Sequence, residues 1–72
     1  MRKKKRVLRL RQLRRAREMS QEDLGRRVGL AKAMICHIER GTRKPSLDKA
    51  RLLAEEFGTS IEETFSYVEI SA

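Results

Sequence analysis

Lys32, Cys36, His37 and Arg40 fall in one short run with Ala33 among them, and no other stretch gathers as much side-chain chemistry. Cys36 is the only cysteine and His37 the only histidine, so the sequence offers no intramolecular disulfide and no Cys/His zinc set. A redox role for Cys36 would rest on that residue alone. There is no Cys/His/carboxylate cluster and no phosphate-cradling glycine loop, so an enzyme is not expected. Hydrogen bonding is what the run does offer. It carries ammonium and guanidinium donors, an imidazole that donates or accepts, and a small methyl group.

The spacing says what must position these groups. From Lys32, Ile35 and Ile38 point one way, while Lys32, Ala33, Cys36, His37 and Arg40 point another, as on an amphipathic helix. Gly41 closes that helix. Upstream, Ser20 and Asp23 form a short capping box, and Leu24 and Val28 lay one apolar stripe with Glu22, Arg26 and Arg27 on the wet side. Gly29 then ends the segment and Leu30 folds back onto the stripe. Helix, glycine-containing turn and helix make the helix-turn-helix unit, Ser20 to Gly41.

The rest of the chain reads as support for that unit. Val7, Leu10, Leu13 and Ala16 give a first helix from about Val7 to Glu18, with Arg9, Arg11, Arg15 and Arg17 on its other sides. Such a helix could lie on a membrane surface, but its apolar face is narrow and has neither Trp nor Phe. Pro45 stops helix three from continuing. Ser46 caps a fourth helix through Phe57, with Asp48 near its positive end and Leu47, Ala50, Leu53, Ala54 and Phe57 as its apolar members. Gly58 ends it. Ser60 to Glu63 open a fifth helix to about Phe65. The tail alternates Tyr67, Glu69 and Ser71 against Val68, Ile70 and Ala72; if it is a strand, it must pair with a second copy or lie on the body.

Seventy-two residues make one small domain with a thin core. No apolar run approaches a membrane span, and the basic N-terminus lacks the apolar stretch of a secretory signal, which points to the cytoplasm. The net charge is +8 and the pI about 10.6, and the charge is uneven. Residues 1–17 carry ten basic and no acidic residues, whereas the remainder carries eight basic and ten acidic. Such a domain favours polyanions, with nucleic acid first. The run Arg2-Lys3-Lys4-Lys5-Arg6 repels itself and is expected to fray as an arm, able to reach phosphates or a minor groove.

From Leu10 to Phe65 the chain resembles the lambdoid repressor and Cro family of helix-turn-helix proteins, often called the XRE family. The matching residues are Leu10, Leu13, Arg14, Ser20-Gln21, Leu24, Gly29, Ile35, Ile38-Glu39-Arg40-Gly41, Pro45-Ser46-Leu47 and Phe57-Gly58 ahead of Ile61. The resemblance implies an all-α, compact five-helix domain over residues 7–66, with a basic arm at 1–6 and a tail at 67–72 that can dimerise. It implies a DNA-binding regulator, most simply a repressor that reads an inverted repeat as a homodimer, with no cofactor and no evident small-molecule ligand. Lys32, Ala33 and His37 take the base-contacting positions, with Cys36 beside them: Lys32 can donate to guanine O6 or N7, Ala33 can pack on a thymine methyl, and His37 can donate or accept. Phosphate contacts fall to Gln21, Arg40, Thr42, Arg43 and Lys44, with Lys3, Lys4 and Lys5 from the arm. Arg14 and Glu39 match a structural ion pair. Two residues depart from the pattern: Gly25 stands where alanine is usual, and Ala31 where a capping Ser or Thr is common. A competing reading is a protein-binding adaptor or antitoxin-like component, in which DNA binding is secondary.

Overall fold

The computed structural model describes residues 4–71. In chain order they form β1 (Lys4–Leu8), α1 (Arg9–Ala16), α2 (Gln21–Val28), α3 (Lys32–Arg40), α4 (Leu47–Phe57), α5 (Ile61–Thr64) and β2 (Tyr67–Ser71). The body is the five-helix array, and the strand pair is a minor addition to it.

Local chemistry sets the helix starts. Ser20 Oγ accepts from the Asp23 N–H at 2.9 Å, and the Ser20 N–H donates to Asp23 Oδ2 at 3.0 Å, which satisfies two orphan donors at the start of α2. The Ser20 backbone bond, followed by its hydroxyl and then Arg26, holds the Asp23 carboxyl below its usual value. A depressed carboxylate contributes stability above the unfolded value and loses it as pH falls through the folded one. Acid titrations of the parent and Asp23→Ala should therefore converge at low pH; a stability gap that persists there would contradict this role. Ser46 and Ser60 cap α4 and α5 by accepting from the Lys49 and Glu63 N–H groups at 3.2 and 3.0 Å.

The α2–α3 turn depends on two glycines. Gly29 sits at φ 72, a left-handed conformation that costs a side chain energy. Gly25 lies inside α2, where glycine costs roughly 1 kcal/mol of helix propensity. Its reason is contact: the Leu30 N–H donates to the Gly25 carbonyl at 2.8 Å, and a Cβ at Gly25 would overlap the Leu30 carbonyl oxygen. Ala31 gives α3 no side-chain cap. The helix is instead seated by its apolar face, Ile35 and Ile38, while Lys49 Nζ donates to the Val28 carbonyl at 2.9 Å and ties α4 to the end of α2.

One core runs under all the helices, built from Leu8, Leu10, Leu24, Val28, Ile35, Ile38, Leu53 and Phe57. Two residues of the expected stripes are exposed instead. Ala16 is exposed at the end of α1, and Leu47 at the start of α4 is 67% exposed.

The N-terminus differs from the sequence reading. Lys4–Leu8 is a strand rather than part of a frayed arm, and α1 begins at Arg9 rather than Val7. β1 pairs antiparallel with β2, with Arg6 opposite Glu69, Val7 opposite Val68 and Leu8 opposite Tyr67. The tail finds its partner in the same chain. Burial of Val7 and Leu8 at 5% and 4% exposure, together with the ladder, outweighs the repulsion within the basic run. The cuts between arm, domain and tail at 6/7 and 66/67 therefore fall within or beside one small sheet. Lys3 lies outside the described residues.

Candidate nucleic-acid interface

α3 presents the expected face. Lys32, Ala33, His37 and Arg40 are exposed and Cys36 is half-buried, while Ile35, Ile38 and Glu39 are buried on the opposite side. The solvent side therefore displays donors and one methyl on a rigid helix.

Glu39 is what ties this helix to α1. Arg14 Nε donates to Glu39 Oε2 at 2.7 Å and Nη2 to Oε1 at 3.0 Å, a bidentate pair with both residues under 10% exposed. The third arm of the guanidinium, Nη1, donates to the Met19 carbonyl at 2.7 Å, so one side chain braces α1, the turn after it and α3. Gln21 joins the same cluster, its amide donating to Glu39 Oε1 at 3.1 Å. One amide hydrogen of Gln21 is thereby committed inward, leaving the other to donate to a phosphate oxygen.

The loop after α3 is arranged differently from the expected phosphate cradle. The N–H groups of Thr42 and Arg43 both turn back to the His37 carbonyl, at 3.0 and 3.4 Å, because the last turn of a helix leaves carbonyls that need donors. Thr42 Oγ1 also donates to that carbonyl at 3.1 Å and lies 3.0 Å from His37 Nδ1. The Thr42 hydroxyl thus bridges the carbonyl and the ring of His37. Arg43 and Lys44 keep exposed side chains, which leaves them available to an anion.

A groove of about 740 Å³ opens beside α3, lined by Arg6, Arg11, Arg15, Gln21, Cys36 and Arg40 among others. Its one carboxylate, Glu39, is already neutralised by Arg14. The Arg6 guanidinium lies 5.2 Å from the centre of the Tyr67 ring. Arg11, Arg15 and Arg40 make no ion pair among the described residues. Several arginines elsewhere are paired: Arg17 and Arg27 with Glu56 at 3.6 and 2.6 Å, Arg26 with Asp23 at 2.8 Å, and Arg9 with Glu63 at 3.7 Å; Arg51 on α4 is exposed and makes no ion pair among the described residues. Three of the arginines without an ion pair, Arg11, Arg15 and Arg40, thus share the groove beside α3. Sequence reasoning placed Arg6 in the basic arm but did not single out Arg11 and Arg15 as binding residues. The i, i+4 spacing of Arg11 and Arg15 marks a shared face, but only the fold shows which face it is.

A smaller hollow of about 270 Å³ is lined by Leu8, Ile38, Pro45, Ala50, Ile61 and Phe65 among others, with Arg43 and Lys44 also on its wall. Among the described residues, no group of His, Cys, Asp and Glu is arranged to hold a metal ion, and no helix is long and apolar enough to cross a membrane.

Comparison with known proteins agrees with this geometry. Residues 10–63 match the family described as helix-turn-helix. An uncharacterised helix-turn-helix-type transcriptional regulator of Methanocaldococcus jannaschii is 41% identical over 49 residues, covering 68% of this chain and 74% of that one. Another, from Archaeoglobus fulgidus, is 36% identical over 61 residues, covering 85% and 86%. The solved restriction-modification controller protein C.AhdI from Aeromonas hydrophila superposes with a TM-score of 0.70 at 38% identity, covering 79% of this chain and 86% of that one.

Proposed function

The chain belongs to the XRE-type helix-turn-helix family of DNA-binding transcriptional regulators, and from that premise we propose that it acts as a homodimeric repressor of an inverted-repeat operator. Each α3 enters a major groove, the two about one turn apart on one DNA face. Lys32, Ala33 and His37 meet base edges with Cys36 beside them. Gln21, Arg40, Arg43 and Lys44 hold phosphates, joined by Arg11 and Arg15 from the groove and by the basic N-terminal residues Lys3, Lys4 and Lys5. Phe65, Tyr67 and the apolar hollow near α5 supply the two-fold contact. Repression follows from occupying a promoter.

The observation that carries this reading is the gathering of Arg11, Arg15 and Arg40, none of which makes an ion pair among the described residues, in the groove beside α3. Binding-site selection from random DNA tests it. The expected result is a pair of symmetric half-sites, and Lys32→Ala with His37→Ala should lower the preference for that site over random DNA by about 10- to 100-fold while salt-dependent non-specific binding survives. If no motif is enriched, the adaptor reading takes its place.

A further inference from the structure

We infer that Thr42 fixes the tautomer of His37, so that His37 reads an exocyclic amino group of adenine or cytosine and rejects guanine. This rests on the proposal that α3 enters a major groove. Thr42 Oγ1 lies 3.1 Å from the His37 carbonyl oxygen and 3.0 Å from His37 Nδ1. A hydroxyl has one proton and two lone pairs. With that proton on the carbonyl, the second contact is complete only when Nδ1 carries a hydrogen and donates to Oγ1. The reverse assignment sends the hydroxyl proton to Nδ1 and leaves two oxygens facing each other with no hydrogen between them. Only the first arrangement satisfies both contacts.

The consequence appears at the other ring nitrogen. In a neutral imidazole with Nδ1 protonated, Nε2 is an acceptor. The ring is exposed, and Nε2 makes no hydrogen bond among the described residues, so its lone pair is presented outward from α3. Donors in the major groove are the N6 amino group of adenine and the N4 amino group of cytosine, whereas guanine shows O6 and N7, both acceptors. Lys32, a donor only, makes the opposite choice nearer the start of the same helix. Thr42 is thus a positioning residue, which acts on the base through His37.

His37 is the only histidine, so nitrogen-15 spectra of the free protein in mildly alkaline buffer report a single imidazole. The parent and Thr42→Ser should show the Nδ1–H form, and Thr42→Val should lose it. In site selection, the base facing His37 should be adenine or cytosine, favoured over guanine by roughly threefold to tenfold, and Thr42→Val should erase that preference at this one position only. An Nε2–H parent overturns the inference, as does guanine or thymine at that base, or a Thr42→Val variant with the parent's preference. Recovery of no motif at all overturns the proposed function and the base assignment with it, while the spectra still report the tautomer, so the two failures are distinguishable.

Discussion

Arg14→Met should lower the free energy of unfolding by about 3–5 kcal/mol, enough to leave a domain of this size barely folded, since small domains hold only roughly 5–15 kcal/mol in all. The loss is larger than that of a surface ion pair, worth ~0–1 kcal/mol, because both partners are buried and Glu39 would keep its charge with only Gln21 beside it. The Met19 carbonyl would lose its donor as well. Removing both charges separates these costs. Arg14→Met with Glu39→Met should recover a good part of the loss, because a buried pair replaced by apolar groups of similar volume is often close to neutral. Urea denaturation of the two variants measures both quantities. A melting temperature for Arg14→Met within a degree or two of the parent would mean that the pair braces nothing.

That network also shows what was legible in the sequence and what was not. Ser20, Asp23, Gly29 and Pro45 act through bonds within a few residues, so their spacing alone predicts the ends of α2 and α3, and the structure has them there. β1 was hidden for the opposite reason. Its partner lies some sixty residues away in the ladder that joins Leu8 to Tyr67, and a run of like charges gives no period of two to read. Gly25 looked like a weakness, because helix propensity counts only the helix, whereas the Leu30 carbonyl that forbids a Cβ belongs to the following turn. Thr42 was legible as a polar loop residue but not in its direction. The His37 carbonyl in the last turn of α3 accepts that hydroxyl, and only the path of the chain after Gly41 brings the two together. Arg11 and Arg15 were visible as charges, but their lack of carboxylate partners is a property of the packed helices.

The second large effect concerns those two arginines. Arg11→Gln with Arg15→Gln should reduce the steepness of log K against log salt by about 2, since each neutralised phosphate contributes roughly 0.9 to that slope, and should cost about 10- to 100-fold in affinity at moderate salt. Sequence preference should stay as it is, because phosphate contacts position the protein without reading bases. Folding should stay as it is too, because neither guanidinium makes an ion pair among the described residues. Net charge alone would also weaken binding to DNA, so the control must change charge equally elsewhere. Arg17→Gln with Arg27→Gln does so: it removes two positive charges that are already held by Glu56, at 3.6 and 2.6 Å, outside the groove beside α3. The groove pair should flatten the salt dependence and the control pair should leave it near the parent's. Equal slopes in the two variants would show that the arginines of the groove act only through the overall charge of the molecule, and would take the backbone-binding role away from that face of α1.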